Sequence, residues 1–267
     1  MTQGSPPVDV SVYGERLLRE VPFFRAIPRA AECRLFAELH LDGPVLDVGC
    51  GDGTFVQALR PANRWVGIDP AVQPLSEARE AAAYWSLAVA EGGVLPFRDG
   101  AFASVVSNST LEHIPDVEPV LREMYRVLRR GGAFVVSFPS ELFYDYHFGT
   151  AAMTRLRLKP LAWAYRRWVQ RIARVHHADP PDVWRARLER LGLTVESWRY
   201  YLSRRNTAVM DVGHYLSAPS LLTHRLLHRW VLWPGKVSLI PLARWMEPFT
   251  SPGASDEGAF LLFVCRK

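Results

Sequence analysis

Residues Val45–Gly53, VLDVGCGDG, and the Gly67-Ile-Asp-Pro70 that follows hold the densest cluster of chemically useful residue types in this chain. The apolar run of Val45, Leu46 and Val48 predicts a buried strand. It leads straight into Gly49, Gly51 and Gly53, where a missing Cβ lets the backbone turn sharply and approach a ligand. Sixteen residues past Gly53, a second short strand over 65–68 ends in Asp69. A carboxylate at the tip of the second strand of an open α/β sheet is placed to accept from a ribose diol. The glycine spacing then sorts the ligands. A dinucleotide loop needs G-x-G-x-x-G, and Thr54 stands where the third glycine would fall. The lysine-bearing loop that cradles phosphates is not matched either.

With the segments that follow, this loop resembles the first motif of class I S-adenosyl-L-methionine (SAM)-dependent methyltransferases. Glu91–Phe97 (EGGVLPF) is similar to the segment after their third strand, and Phe102–Ile114 (FASVVSNSTLEHI) to their fourth strand and its exit. Leu128–Pro139 (LRRGGAFVVSFP) is similar to their helix, Gly-Gly turn and fifth strand. The resemblance covers roughly residues 40–140 and 180–200 plus the last strand, and is closest to the small-molecule branch that includes the ubiquinone and menaquinone methyltransferases. It implies an α/β fold with a doubly wound, seven-stranded, mostly parallel Rossmann-like sheet. It also implies SAM as methyl donor, S-adenosyl-L-homocysteine as product, and contacts to SAM from Asp47, Gly49, Cys50, Gly51, Asp69, Pro70, Glu91, Gly92 and Asn108. Glu91 would take the adenine amino group. Tyr13 is a further candidate for touching the SAM carboxylate or the acceptor.

Methyl transfer from a sulfonium needs alignment first, and an oxygen acceptor also needs a base. His113, in the Leu-Glu-His-Ile exit of the fourth strand, is either that base or a structural group shielding SAM. Tyr144, Asp145, Tyr146 and His147 form a polar–aromatic cluster just past the fifth strand, from which Tyr144 and His147 are candidate bases. His176-His177 is a third candidate, or a helix cap. No Asp/His set suggests a metal, and three scattered cysteines form neither a disulfide framework nor a metal spacing.

These groups must be carried by a scaffold of 267 residues, 49% apolar and 22% charged, an ordinary globular balance. No apolar run is long enough to span a bilayer, and the N-terminus lacks an export signal, so a reducing cytoplasm is expected. Strand and helix signals alternate at 45–48, 55–59, 65–68, 76–85, 86–88, 104–107, 117–128 and 133–138, the pattern of a parallel sheet with helices on both faces. Gly131-Gly132 predicts a left-handed helix C-terminus. A helix over 180–191 and strands over 194–200 and 259–265 follow. The expected organisation is an N-terminal helical lid over 1–40, broken at Pro22 and Pro28, and a core of 41–140, 179–202 and 259–267. Two lid insertions, 141–178 and 203–258, leave from carboxyl ends of strands, where ligands bind in such sheets.

The first insertion holds seven basic residues against two acidic ones, a net charge equal to the whole chain's +5. Leu161, Tyr165, Trp168, Ile172 and Val175 fall on one helical stripe, with Arg167, Arg171 and Arg174 opposite. In the second insertion Leu222, Leu226 and Trp230 line up beside His224, Arg225, His228 and Arg229, followed by Trp233, Pro234-Gly235 and Trp245. Such stripes pack on the core, roof an apolar substrate tunnel, or lie on an anionic membrane. The expected acceptor is therefore a small, largely apolar molecule: a secondary metabolite, quinone or isoprenoid-like lipid. A nucleic-acid-directed enzyme is the alternative that basic, Trp-rich segments permit. Against it, Asn108-Ser-Thr is not the Asn/Asp-Pro-Pro-Tyr of enzymes that methylate a flipped base, so no nucleic-acid partner is expected. A non-catalytic SAM-binding protein is the third reading.

Overall fold

The computed structural model describes residues 11–227, 230–231, 239–251 and 256–267. Seven strands form one sheet: β1 (Val45–Val48), β2 (Trp65–Asp69), β3 (Ser86–Val89), β4 (Phe102–Asn108), β5 (Leu128–Pro139), β6 (Thr194–Tyr201) and β7 (Phe260–Arg266). Their order is β3-β2-β1-β4-β5-β7-β6, with β7 alone antiparallel to its neighbours β5 and β6. The chain runs outward from β1 to β3, then returns to the other side of β1 as β4. The crevice between β1 and β4 is thus the topological switch point, where open α/β sheets bind ligands.

Central strands are buried on both faces, and β3 and β6 at the edges are the exposed ones. Alternate side chains of β5 serve two cores. Phe134, Val136 and Phe138 point to one, where Phe138 stacks on Trp184 of α9 (Pro181–Arg190) with ring centroids 3.8 Å apart. Ala133 and Val135 point to the other, beneath α1 (Ser11–Glu20), α2 (Phe23–Ala37) and α12 (Ile240–Thr250). The period-2 pattern of the strand sequence is what divides them.

Several elements differ from expectation. Pro28 does not break α2 but sits inside it. It removes one early hydrogen bond, which the burial of Ala26, Ile27, Ala30 and Ala31 outweighs. The helix expected at 76–85 is α4 (Val72–Glu80). It starts early because Asp69 Oδ1 accepts from Ala71 N and Pro74 suits a first turn; it stops early because Ala82 takes a left-handed turn (φ 49°) leading Tyr84 toward β1. Gly131 is left-handed (φ 71°) but lies within β5; α5 (Glu118–Val127) has already ended.

The first insertion forms α6 (Phe143–Tyr146), α7 (Phe148–Arg155) and α8 (Lys159–Ala173). Of the apolar stripe predicted for α8, only Tyr165 and Val175 pack against the core. Ala162 and Val169 are buried, whereas Leu161, Trp168 and Ile172 are exposed. Small side chains allow a close helix approach that the larger ones would block, and Tyr165 lies so tightly on Gly149 of α7 that a Cβ there would overlap its ring. Tyr165 donates to Asp211 of α10 (Arg204–Leu216) at 2.9 Å, joining the two insertions. The second insertion continues as α11 (Ala218–Leu227) and α12. Leu226 and Trp245 are exposed, and Trp230 borders a cavity instead of extending their stripe. His228, Arg229, Trp233 and Pro234-Gly235, and the side chains of Leu222 and His224, lie outside the described residues.

Candidate functional site

A cavity of about 500 Å³ opens at the carboxyl ends of β1, β2 and β4. Asp47, Gly49, Cys50, Gly51 and Asp69 line it from one side, Asn108, Thr110 and His113 from the other. Two glycines are required by geometry. Gly49 (φ 80°) lies so close to Thr110 that any Cβ would overlap that side chain, and Thr110 Oγ1 donates to Gly49 O at 3.0 Å. Gly51 (φ 53°) faces open space, a cradle that a side chain would fill.

Asp69 anchors the loop: Oδ2 accepts from Gly51 N at 3.1 Å and Oδ1 from Ala71 N at 2.9 Å. Each oxygen keeps a lone pair for a ligand. Asp47 is buried and accepts from Tyr84 Oη at 2.6 Å. Burial pushes its pKa up to about 6, with the Tyr84 hydrogen bond and Arg29 opposing. Cys50 is buried beside it, its thiol pushed up by burial and by the negative charge of Asp47 and Asp69, and so kept unreactive.

The roof is α2, fixed by a carboxylate that sequence reading missed. Glu32 is 1% exposed. Its Oε2 accepts from Arg29 Nη1 at 2.7 Å and Asn108 Nδ2 at 2.8 Å, its Oε1 from Ser109 Oγ at 2.8 Å and Tyr201 Oη at 3.3 Å. Asn108 also accepts from Ser137 Oγ, so this cavity-lining residue is held in place from two sides. The signal for Glu32 lay in Ala-Ala-Glu-Cys, a lone carboxylate among small apolar residues of a helix.

A second, apolar chamber of about 230 Å³ adjoins the first, sharing Arg25, Arg29, Ser109 and His113. Its walls include Phe24, Phe143, Val175, Met210 and Phe260, and Glu112 also reaches it. His113 stands between the two spaces. Its Nδ1 lies 3.1 Å from Arg174 O, a carbonyl that can only accept, so Nδ1 carries the proton and Nε2 the lone pair in the neutral ring.

The other candidates fall elsewhere. Tyr144 and His147 are buried outside both cavities. Arg166 sits 5.7 Å over the Tyr144 ring, and burial raises the phenol. His147 Nδ1 donates to Phe143 O at 2.8 Å, and burial lowers its pKa. His177 Nε2 donates to Ile114 O at 3.0 Å and both His176 and His177 amides meet Glu112 O, so the pair fastens the insertion to the β4 exit. Tyr13 is a core residue among α1, α2 and α12, and Pro70, Glu91 and Gly92 lie outside the cavity wall. Among the described residues no group of His, Cys, Asp and Glu could hold a metal.

Residues 46–136, which hold the core of the sheet and its ligand loops, match the family described as methyltransferase domain. An uncharacterized methyltransferase of Mycobacterium sp. (strain JLS) is 38% identical over 95 residues, 35% of this chain and 38% of its own length. A probable S-adenosylmethionine-dependent methyltransferase of Mycolicibacterium smegmatis is 32% identical over 104 residues, 38% of this chain and 40% of that one. The chain thus spans well under half the length of these curated relatives. Among solved structures, an S-adenosylmethionine-dependent methyltransferase from Mesorhizobium loti shares the fold at TM-score 0.53 and 17% identity, covering 91% of this chain and 100% of that one. Phosphoethanolamine N-methyltransferase 2 of Haemonchus contortus, solved with SAM, does so at TM-score 0.58 and 16% identity, covering 92% and 53%. The [4+2]-cyclase SpnF also does, at 0.56 and 19%, covering 89% and 80%. The expected seven-stranded Rossmann-like methyltransferase fold is therefore present.

Two stability effects follow. Glu32→Ala strands the Arg29 charge and the Asn108 amide, and should lower unfolding stability by about 3–5 kcal/mol in urea titrations. For Asp47, a folded pKa near 6 lies above the ordinary carboxylate value, so the folded state is favoured at low pH and that advantage is lost as pH rises from about 4 through 6. Asp47→Asn should then raise stability at pH 7, by roughly 1–3 kcal/mol, with the gain fading toward pH 4.

Proposed function

We propose that this protein transfers the methyl group of SAM to a small, largely apolar acceptor. The observation that carries this reading is the pairing of spaces: a polar cavity on the glycine loop of a methyltransferase domain, adjoining an apolar chamber across His113. The residues present fit SAM. Gly51 leaves room for a ligand, Asp69 offers two carboxylate oxygens to a ribose diol, and buried Asp47 favours a cationic partner such as an ammonium. When bound, SAM supplies a methyl group activated by a positive sulfur. The chain's own part is to hold both partners in line and to keep water out with α2, α8 and α10.

Within the chamber the apolar wall supports a ring or hydrocarbon acceptor, including the quinone and isoprenoid-like classes. His113, with its lone pair on Nε2, serves as shield or as proton acceptor. A SAM-binding protein without methyl transfer is the rival reading, because the same fold also carries a cyclase. Release of S-adenosyl-L-homocysteine upon addition of an apolar acceptor separates the two. Peripheral membrane contact belongs to the same proposal. Trp163 is 65% exposed and Leu161 53%, on a helix whose Arg167 and Arg171 also face solvent, whereas Arg166 is paired with Asp145 at 2.6 Å. Apolar and cationic side chains exposed together suit an anionic lipid surface. None of the helices among the described residues is long and apolar enough to cross a membrane.

Asp69→Ala should weaken S-adenosyl-L-homocysteine binding by about tenfold to a hundredfold, since charge-assisted hydrogen bonds to the diol contribute roughly 1–3 kcal/mol each. Calorimetry showing wild-type affinity in this variant would remove Asp69 from the site. For the membrane, replacing Lys159, Arg167 and Arg171 with Gln should reduce sedimentation with vesicles of phosphatidylcholine and phosphatidylglycerol by about a hundredfold at low salt, at about 1 kcal/mol per charge. The gap should narrow as salt screens the surface. Equal sedimentation at every salt concentration would reduce α8 to a packed lid element.

A further inference from the structure

Two buried carboxylates lie close under the roof of the site, and they differ in one respect. Glu32 has a donor for every oxygen, four in all. Glu112, on the 3₁₀ turn Leu111–His113, is 2% exposed, yet its Oε2 is buried with no hydrogen-bond partner. Buried polar atoms are ordinarily satisfied, so an orphaned carboxylate oxygen is a place where a ligand completes the structure. Glu112 lies on the wall of the apolar chamber, among Phe24, Phe143, Val175, Met210 and Phe260. Resting on the methyl-transfer reading above, we propose that Glu112 Oε2 is the polar anchor and proton acceptor of the chamber, and that the acceptor is a small aromatic molecule carrying a phenolic or enolic hydroxyl.

The volume fits this class. A dry cavity of about 150 Å³ already holds benzene, and the chamber measures about 230 Å³. Phe24, Phe143 and Phe260 provide ring faces and edges for a planar guest. The charged and titratable groups around Glu112 are Arg29 and Glu32 from α2, Tyr144 from α6, Tyr201 from β6 and its neighbour His113. Burial dominates and pushes Glu112 up to about 8, with a hydrogen bond from its own backbone amide and the charge of Arg29 opposing and Glu32 adding. A carboxylate of that basicity is far better matched to a phenolic proton than an exposed one would be. In the step itself, an oxygen lone pair of the acceptor forms the new C–O bond and the C–S bonding pair stays on sulfur. The hydroxyl proton goes to Glu112 Oε2. His113 Nε2, 3.9 Å from Glu112 Oε1 and on a half-exposed ring, is placed to carry that proton onward to solvent.

The test uses the full chain saturated with S-adenosyl-L-homocysteine, whose binding is measured first by calorimetry. Two probes are then compared, 1-naphthol and naphthalene, which differ only in the hydroxyl. Wild type should prefer 1-naphthol by at least tenfold at pH 7, and the preference should grow severalfold up to pH 8.5 as the carboxyl ionises and becomes a stronger acceptor. Glu112→Gln should keep naphthalene affinity and thermal stability while its preference stays flat with pH. Glu112→Leu should bind both probes alike. A wild-type preference that is absent, or one that rises with pH equally in Glu112→Gln, overturns the proposal, as does failure of both aromatics to bind. Failure to bind S-adenosyl-L-homocysteine at the outset would instead overturn the methyltransferase reading beneath it.

Discussion

The buried carboxylate of Glu32 is the constraint on which the site depends. Taking an ionised carboxylate out of water costs several kcal/mol, recovered only if every lone pair finds a good donor. Four donors meet it here, from α2 itself, from the β4 exit twice, and from β6. That requirement makes the placement of α2 over the switch point nearly unique. A helix rotated by one residue would leave both a carboxylate and the Arg29 guanidinium buried without partners. The N-terminal helices are thereby locked to the sheet at the one place where a ligand enters, and Asn108 and Ser109 are held rigid at the cavity rim.

Glu112 is the counterpart. It shares the low-dielectric setting but not the donors, and the outcome is opposite. Glu32 is tied into the scaffold through both oxygens, while Glu112 is a carboxyl pushed up to about 8 that lines an apolar chamber and keeps a buried, unpaired Oε2. Side-chain hydrogen bonds from the β4 exit to the backbone of β1 and its loop, Ser107 Oγ to Val48 O and Thr110 Oγ1 to Gly49 O, hold the floor between them. With roof and floor both fixed, His113 is left as the wall between the polar cavity and the apolar chamber, oriented by a carbonyl, Arg174 O, contributed by the first insertion.

The alternation of apolar runs made the sheet legible, because strand and helix burial impose different periods on the sequence. Gly49, Gly51 and Asp69 were legible for a local reason as well: backbone conformation and strand-end position are properties of a few neighbouring residues. What escaped depends on partners far along the chain. Glu32 acquires its meaning from Asn108 and Tyr201, and Glu112 from an Oε2 left without a partner beside a pocket built by six separate segments. The α8 stripe was misread because Ala162 and Gly149 pack more closely than any periodicity of large residues can announce. Tyr144 and His147 follow the fifth strand as expected, but of this cluster it is neighbouring Phe143 that lines the chamber.

The division of the site between core and insertions also explains why only the core is matched by a family model. The glycine loop, Asp69, Asn108 and His113 all fall within residues 46–136, the span matched by the family. Of the chamber wall, only Ser109, Glu112 and His113 do so; Phe24 and Pro28 precede it, and Phe143, Val175, Met210 and Phe260 follow it. On the proposed reading, the first set serves the methyl donor, whatever the acceptor. Shape and polarity of the acceptor act on the second, which sits on helices free to change length and packing without disturbing the sheet. Relatives that align only over the core therefore carry information about the donor half alone. The acceptor has to be read from the few polar atoms that the chamber leaves unpaired.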